Sequence, residues 1–415
     1  KKMTWDVDYL RDNRDENMGF LSKTLLPDGT EIPGTNFDYN YLQHRKVDVV
    51  SSALDFILPF EKYKITAGAK VSFTNTRNGI NYDTSDPTLV QDDYFRYKEQ
   101  IYALYADYSR EYSERFSMQL GLRMEHTRTT GISEAKDTED KHDYTRLFPT
   151  VYLLYSPTDG HALNFSFSNR ISRPSQNMVN PFPFYQNKYT YACGREDLKP
   201  SYTYNAELGY TLKNNFNVSA YYSYSDDVFF QVVDLDAETN VTSFLWENFM
   251  KTHAFGLNNS YTFRTKWLQA YAQHGVSYRR TTSSAATTSP EEKGWAYDAS
   301  LRNTFFFNEK KTLLATLSGS YSSRQYQGIY LMSPTYSVSA GMLYRLLNNK
   351  LNLSLNVNNL FVSHSKLETM SNGLKIIADN QFSFTSFRIG VSYTFGGDIR
   401  SKGQRNSNED IQRRL

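Results

Sequence analysis

One stretch of the chain reads Phe116-Ser117-Met118-Gln119-Leu120-Gly121-Leu122-Arg123-Met124-Glu125, and every second side chain in it is apolar. Successive side chains of a β-strand point to opposite faces, so a period of two predicts a strand with one apolar face. Strands of soluble sheets are usually about five or six residues long, whereas this run reaches about ten. The same pattern recurs in residues 163–168, 202–212, 351–358 and 387–395.

The two faces of these predicted strands differ in chemistry. One face holds almost only aliphatic and aromatic side chains, as contact with lipid requires. The other mixes small residues with charged ones, namely Arg123, Glu125, Glu207 and Arg388, which suit a water-filled or plugged interior. The pattern therefore favours a membrane barrel over a soluble β-protein such as an adhesin or a propeller.

Composition agrees with this interpretation. The 415 residues include 33 Tyr, 27 Phe and 4 Trp, and amphipathic rings suit the two membrane surfaces of a barrel. No run approaches the roughly 18–20 apolar residues of a membrane-spanning helix, which excludes a helical membrane protein. A net charge of +2 gives no indication of nucleic-acid binding. Cys193 is the single cysteine, so no intrachain disulfide can form.

Connections between the predicted strands alternate in length, as they do in outer-membrane barrels with short periplasmic turns and long external loops. The short turns are 59–62, 109–113, 157–160, 213–215, 264–266, 308–311 and 348–350. The long, polar connections are roughly 14–46, 77–95, 131–144, 172–200, 282–293 and 364–380. A propeller or a sandwich has no physical reason to alternate in this way.

The predicted fold is therefore all-β: a transmembrane up-and-down antiparallel β-barrel over residues 1–395, with about sixteen strands. The first strand is expected near residues 4–11 and the last near 384–395. Residues 396–415 are basic and almost without apolar side chains, which predicts a disordered periplasmic tail. The N-terminus lacks the apolar core of a signal peptide, so we expect the sequence to begin within a longer precursor.

Three short motifs stand at intervals along the chain. The first is Asn169-Arg170-Ile171-Ser172-Arg173-Pro174, followed by Asn180-Pro181-Phe182. The second is Gly194-Arg195-Glu196-Asp197-Leu198-Lys199-Pro200. The third is Val357-Asn358-Asn359-Leu360-Phe361 with the closing Tyr393-Thr394-Phe395. Together they resemble the outer-membrane β-barrel proteins of Bacteroidetes that are related to TonB-dependent receptors. The second motif departs from the family pattern, since Arg195-Glu196 replaces Asn-Pro and Ser201 replaces Glu.

The resemblance implies a place in the bacterial outer membrane, within a barrel of about 22 strands that an N-terminal plug closes. It implies import of a nutrient, siderophore, glycan or peptide, with lipid, a TonB-type energy-coupling protein and a surface lipoprotein as partners. Neither a plug nor an energy-coupling box is visible here. Either the chain is part of a longer protein, or it is a smaller barrel. The alternatives are a non-transporting subunit of an assembly or secretion complex, and a diffusion porin.

The sequence shows no constellation typical of an enzyme. It contains no phosphate-binding loop, nucleophile elbow, HExxH or paired CxxC motif, and we predict no catalysis, no cofactor and no metal site. Asp234, Asp236 and Glu238 alternate like calcium ligands, but the turn glycine and distal glutamate of an EF-hand are missing. A solvated hairpin tip between two β-rich runs is the better interpretation.

The connection 172–200 is the best candidate for contact with a ligand or a partner protein. Its prolines, Pro174 and Pro200, forbid strand pairing at both ends. Exposed aromatic rings in such a loop can stack on sugars or anchor a partner protein. The alternative is that the rings pack into the loop itself or into the barrel mouth. The candidate contact residues are Arg173, Phe182, Phe184, Tyr185, Tyr189 and Tyr191.

Overall fold

A computed structural model describes residues 1–33, 36–84, 92–236, 238–362, 365–380, 385–395 and 409–414. The first strands are β1 (Lys2–Ser22), β2 (Phe37–Pro59), β3 (Lys64–Thr84), β4 (Asp93–Ser113), β5 (Phe116–Ser133), β6 (Thr138–Tyr155) and β7 (His161–Ser172). The helical turn α1 (Gln176–Val179), β8 (Pro183–Asn187) and β9 (Thr190–Cys193) follow.

The second half continues with β10 (Ser201–Leu212), β11 (Phe216–Asp236), β12 (Val241–Arg264), β13 (Leu268–Ser283), β14 (Glu291–Phe306) and β15 (Leu313–Ser322). The remaining elements are β16 (Gln325–Gln327), β17 (Tyr330–Met332), β18 (Thr335–Leu346), β19 (Leu351–Val362), β20 (Ser365–Ser371), β21 (Leu374–Asn380), β22 (Ser386–Tyr393) and α2 (Glu409–Gln412). Among the described residues, no helix combines the length and the apolar character needed to cross a bilayer.

Sixteen strands form one antiparallel meander, which confirms the predicted fold class and strand number: β1 to β7, β10 to β15, β18, β19 and β22. Each pairs with the next, and β7 pairs directly with β10 across the intervening connection. Within the described part of the chain, β1 pairs only with β2 and β22 only with β19. Both edge strands are consequently well exposed, as Trp5 (69%) and Ile389 (81%) show.

The outer face of the meander carries the apolar rows that the sequence predicts. Leu120, Leu122 and Met124 of β5 are exposed, whereas the alternating Glu125 and Thr127 are buried on the inner face. In water, exposed rows of this kind would form a large apolar patch, whereas in a bilayer they meet hydrocarbon. The alternation therefore assigns the outer face to lipid.

Aromatic rings pair at the end of the meander where the short turns lie. Phe60 stacks on Tyr63 with 4.5 Å between ring centroids, and Tyr63 lies 5.7 Å from Tyr108. Trp267 stacks on Phe305 with 6.4 Å between their centroids. Rings at this level fit one of the aromatic girdles that outer-membrane barrels place at the membrane surface.

Six of the seven predicted short turns lie between consecutive wall strands, whereas residues 109–113 belong to the end of β4 and the chain turns at 114–115. The long connection 172–200 has the predicted bounds, but the bounds of others were wrong. The predicted connection 14–46 is largely strand, because β1 continues to Ser22 and β2 begins at Phe37. The connection 364–380 is also a hairpin, formed by β20 and β21. The backbone of a polar segment pairs as readily as that of an apolar one, so these hairpins extend beyond the apolar rows.

A second, four-stranded sheet of β16, β17, β20 and β21 lies at the end opposite the short turns. Its Ile329–Tyr330 corner packs against Val232 and Val233 of β11 and Met250 of β12. The Tyr330 hydroxyl donates to the Gln231 carbonyl oxygen at 2.8 Å, which fixes this sheet to the β11–β12 hairpin.

The predicted tail differs from expectation where it is described. Residues 396–408 and 415 lie outside the described residues. Residues 409–412 form α2, and Ile411 is 1% exposed against Val47 and Val49. Two contacts hold this segment on the inner face. Ile411 packs against Val47 and Val49, and the Arg414 guanidinium pairs with the buried carboxylate of Glu99.

Candidate functional site

The mouth loop, defined as residues 173–200, connects β7 to β10 and folds onto the inner face of the meander. It begins after Ser172 and ends before Ser201, as the two prolines predict. Its α1 turn is followed by the β8–β9 hairpin. β9 also pairs in parallel with residues 242–245 of β12, so the loop becomes part of the sheet near the tip of the β11–β12 hairpin.

A buried ion pair fixes the start of the mouth loop. Arg173 Nη2 donates to Glu125 Oε2 at 2.5 Å, and the two side chains are only 11% and 6% exposed. Arg123 Nε donates to the other oxygen of the same carboxylate at 2.5 Å. A cavity of about 470 Å³ lies on the short-turn side of this group and is lined by Tyr105, Asp107 and Arg123, among others.

An aromatic floor supports the middle of the mouth loop. Phe182 is 2% and Tyr185 is 7% exposed, and both pack against Phe37, Tyr39 and other inward-facing rings of the first strands. The Tyr39 hydroxyl donates to the Pro183 carbonyl oxygen at 3.1 Å, and the Tyr82 hydroxyl reaches the same oxygen at 3.3 Å.

Polar contacts fix the far end of the loop to both sides of the mouth. Arg195 Nη1 donates to Glu247 of β12 at 2.9 Å, and the Lys199 amide donates to Asn248 Oδ1 at 2.9 Å. On the opposite side, the Thr138 hydroxyl of β6 donates to Glu196 Oε1 at 3.0 Å. The loop therefore spans the mouth and is attached at β5, β6 and β12.

The predicted site residues fall into two groups. Tyr189 alone is well exposed, at 49%, near the outer tip of the loop. Phe182 and Tyr185 are buried, Arg173 is paired, and Phe184 and Tyr191 are partly buried against the same floor. The rings do not lie in an irregular loop, because Phe184 and Tyr185 belong to β8 and Tyr191 to β9.

Sequence reasoning missed the β11–β12 side of the mouth. Phe229 and Trp246 pack against the aromatic floor, and Asn248 Nδ2 donates to the Lys199 and Asp227 carbonyl oxygens. A signal was present, because adjacent Asp226 and Asp227 interrupt an otherwise alternating strand. Asp227 has φ 52° beside a register shift, the mark of a bulge that redirects the strand.

Arg195 and Asp197 form an ion pair in the far end of the mouth loop. Burial alone would raise the pKa of Asp197, but hydrogen bonds from Arg195 and the charge of that guanidinium bring it below its ordinary value. Burial raises the pKa of Cys193 to about 11, and its thiol donates to the Pro181 carbonyl oxygen at 3.1 Å. No group of three or more candidate metal ligands occurs among the described residues.

The fold agrees with the comparisons to known proteins. The model of the outer membrane protein beta-barrel family matches residues 1–393. The chain belongs to this family. This outer-membrane barrel accordingly has lipid outside its apolar rows. No curated protein sequence matches it.

Solved structures share the fold of this outer-membrane barrel. The copper transporter OprC matches with a TM-score of 0.61 at 13% identity, over 87% of this chain and 62% of its own. The ferric yersiniabactin uptake receptor FyuA from Yersinia pestis matches at 0.59 and 15%, over 94% and 59%. The siderophore receptor PiuA from Acinetobacter baumannii matches at 0.56 and 15%, over 86% and 57%. The barrel thus spans less than two thirds of each of these structures.

Proposed function

We propose that this barrel is the membrane part of a TonB-dependent receptor-like importer for a nutrient or metal-chelate ligand. The observation that carries the proposal is the mouth loop, which covers the inner face at the external end and offers an exposed rim of Tyr189 and Arg195. Capture at such a rim, followed by movement of the loop, is a physically consistent route to entry. Its fold relatives include a copper transporter and siderophore receptors, which supports this ligand class.

The proposal assigns gating to a plug domain outside this chain and energy to a TonB-type coupling protein. A surface lipoprotein would cover the mouth from outside. The proposal assigns neither catalysis nor a cofactor to the barrel itself. Origin in a Bacteroidetes bacterium stays a prediction from the three sequence motifs.

Uptake by intact cells tests the proposal. Cells that produce the complete protein are compared with cells lacking it, with and without a working TonB system, for accumulation of copper and of labelled ferric siderophores. The proposal predicts TonB-dependent accumulation of at least one compound. Tyr189→Ala should reduce it, whereas Tyr112→Ala, similarly exposed (46%) at the short-turn end, should not. Equal accumulation in all strains would contradict import of these ligand classes.

A passive porin is the competing function, and single-channel conductance separates the two. The attachment of the mouth loop at β5, β6 and β12 predicts a low conductance for the intact barrel. Replacing residues 176–197 by a short glycine-serine linker should raise that conductance. A large, steady conductance of the intact barrel would favour the porin. Stoichiometric co-purification of partner proteins without any uptake would favour the non-transporting subunit.

A further inference from the structure

A buried row crosses the inner face at mid-height. The strand registers place Val49 of β2 opposite Thr74 of β3, Thr74 opposite Glu99 of β4, and Glu99 opposite Thr129 of β5. All four side chains point inward and are 0–7% exposed. Neighbouring strands lie about 4.8 Å apart, so Val49 and Glu99 are roughly 10 Å from each other along this row.

The described end of the chain lies on this row. Ile411 is 1% exposed and packs on Val47 and Val49, which are both 0% exposed, with Leu10 beside them. Val47 and Val49 form a pair of inward-facing aliphatic side chains on β2. The pair forms an apolar seat that an aliphatic side chain fills.

Arg414 lies farther along the buried row, beside Glu99. Its Nη2 and Nη1 donate to the two carboxylate oxygens of Glu99 at 2.6 and 3.1 Å. Glu99 is 3% exposed, and its other cation, Arg173, is 3.9 Å away and already pairs with Glu125. A bidentate guanidinium–carboxylate contact of this kind is both strong and selective for arginine over lysine.

The same segment also touches the mouth loop. The Arg414 carbonyl oxygen accepts a hydrogen bond from the Gln176 amide of α1 at 3.2 Å. The seat therefore joins the wall strands, the chain end and the loop in one set of contacts.

We propose that residues 409–414 are a tethered ligand of the barrel interior, and that the seat formed by Val47, Val49 and Glu99 recognises a peptide with an aliphatic residue three positions before an arginine. Any other polypeptide segment that enters at this height must displace residues 409–414. The inference does not depend on the transport proposal.

A disulfide experiment on the full chain tests the placement. In a Cys193→Ser background, Val49→Cys with Ile411→Cys should form an intramolecular disulfide under mild oxidation. The matched control is Val50→Cys with Ile411→Cys, because Val50 is 46% exposed on the outer face. Cross-linking of the Val49 pair at least tenfold faster than the Val50 pair is expected. Equal rates, or no cross-link in either pair, would overturn the proposal.

A binding experiment tests the recognition chemistry. A labelled peptide of residues 409–415 should bind a chain that ends at Phe395, and should bind the full chain at least tenfold more weakly. Glu99→Gln in the shortened chain, or Arg414→Ala in the peptide, should weaken binding at least tenfold. Glu207→Gln, on β10, should leave it unchanged. Equal binding by the full and shortened chains would contradict occupancy of the seat. If the shortened chain does not fold, the disulfide result decides alone.

Discussion

Arg173, the first residue of the mouth loop, donates a 2.5 Å hydrogen bond to Glu125 in the barrel wall, and both side chains are shielded from water. Because the pair is buried, removing one partner leaves a charge that is only partly compensated. The position of the loop across the mouth therefore depends on this wall carboxylate as well as on the aromatic floor and on the contacts to β6 and β12.

Arg173→Ala should loosen the mouth loop. Loss of a buried charge-assisted hydrogen bond costs about 1.5–3 kcal/mol, because Arg123 still neutralises Glu125 in part. Alkylation of Cys193, measured by mass spectrometry on the barrel in detergent, should then become roughly 10- to 100-fold faster. Arg170→Ala, an exposed arginine on β7, is the control. An unchanged rate in Arg173→Ala would show that the pair does not hold the loop.

Cys193 itself predicts an unusual pH profile. Burial raises the pKa of its thiol to about 11, and only the thiolate reacts with iodoacetamide. The alkylation rate of the wild-type barrel should keep rising up to about pH 11. An exposed thiol would instead level off near its ordinary pKa of about 8.5. A plateau near that lower pH would contradict the partial burial of Cys193 within the mouth loop.

Acid should weaken the docking of the mouth loop at its Arg195–Asp197 end. Arg195 holds the pKa of Asp197 below its ordinary value, so the pair stabilises the docked loop above the unfolded value of about 3.9. That contribution is lost as the pH falls through the lowered, folded-state pKa. A pyridyl disulfide, which still reacts with thiols in acid, should label Cys193 faster below about pH 4. Asp197→Asn should flatten this acid response, and an identical response in the variant would rule out the pair as its cause.

An arginine introduced on the outer face should lower the free energy of unfolding more than one introduced on the inner face. Leu301 of β14 is 48% exposed on the apolar row. Ser300, the preceding strand residue, points to the opposite face. Leu301→Arg should lower the free energy of unfolding in liposomes by about 2–4 kcal/mol, as arginine does near the bilayer midplane. Ser300→Arg should change it by less than about 1 kcal/mol. Equal losses in urea titrations would mean that the two faces meet the same medium.

The wall was predictable because its determinants are local. A period of two is visible in any ten-residue window, and the prolines at 174 and 200 mark where pairing stops. The strand ends were less predictable. Residues 14–17 are polar on both faces, yet they pair with β2, since backbone hydrogen bonds do not depend on side-chain polarity.

The mouth was only partly predictable because its contacts join distant segments. The sequence indicated that residues 172–200 carry the aromatic rings, but the acceptor for the Tyr39 hydroxyl lies 144 residues away. Whether a ring of the mouth loop faces solvent or packs on the aromatic floor depends on residues of distant strands, which no local pattern identifies. The packing of Ile411 is a stronger case, since it is the single aliphatic residue of the polar segment 409–414 and it packs against two valines that are distant in sequence.

The most direct measurement of the central claim is spin-label accessibility along β5 in liposomes, on a Cys193→Ser background. Labels at Leu120 and Leu122 should collide more with oxygen, which concentrates in lipid, than with a water-soluble nickel complex. Labels at Gly121 and Arg123 should show the reverse, so that accessibility alternates with a period of two. If all four positions favoured the nickel complex, no face of this strand would meet hydrocarbon and the account would be wrong.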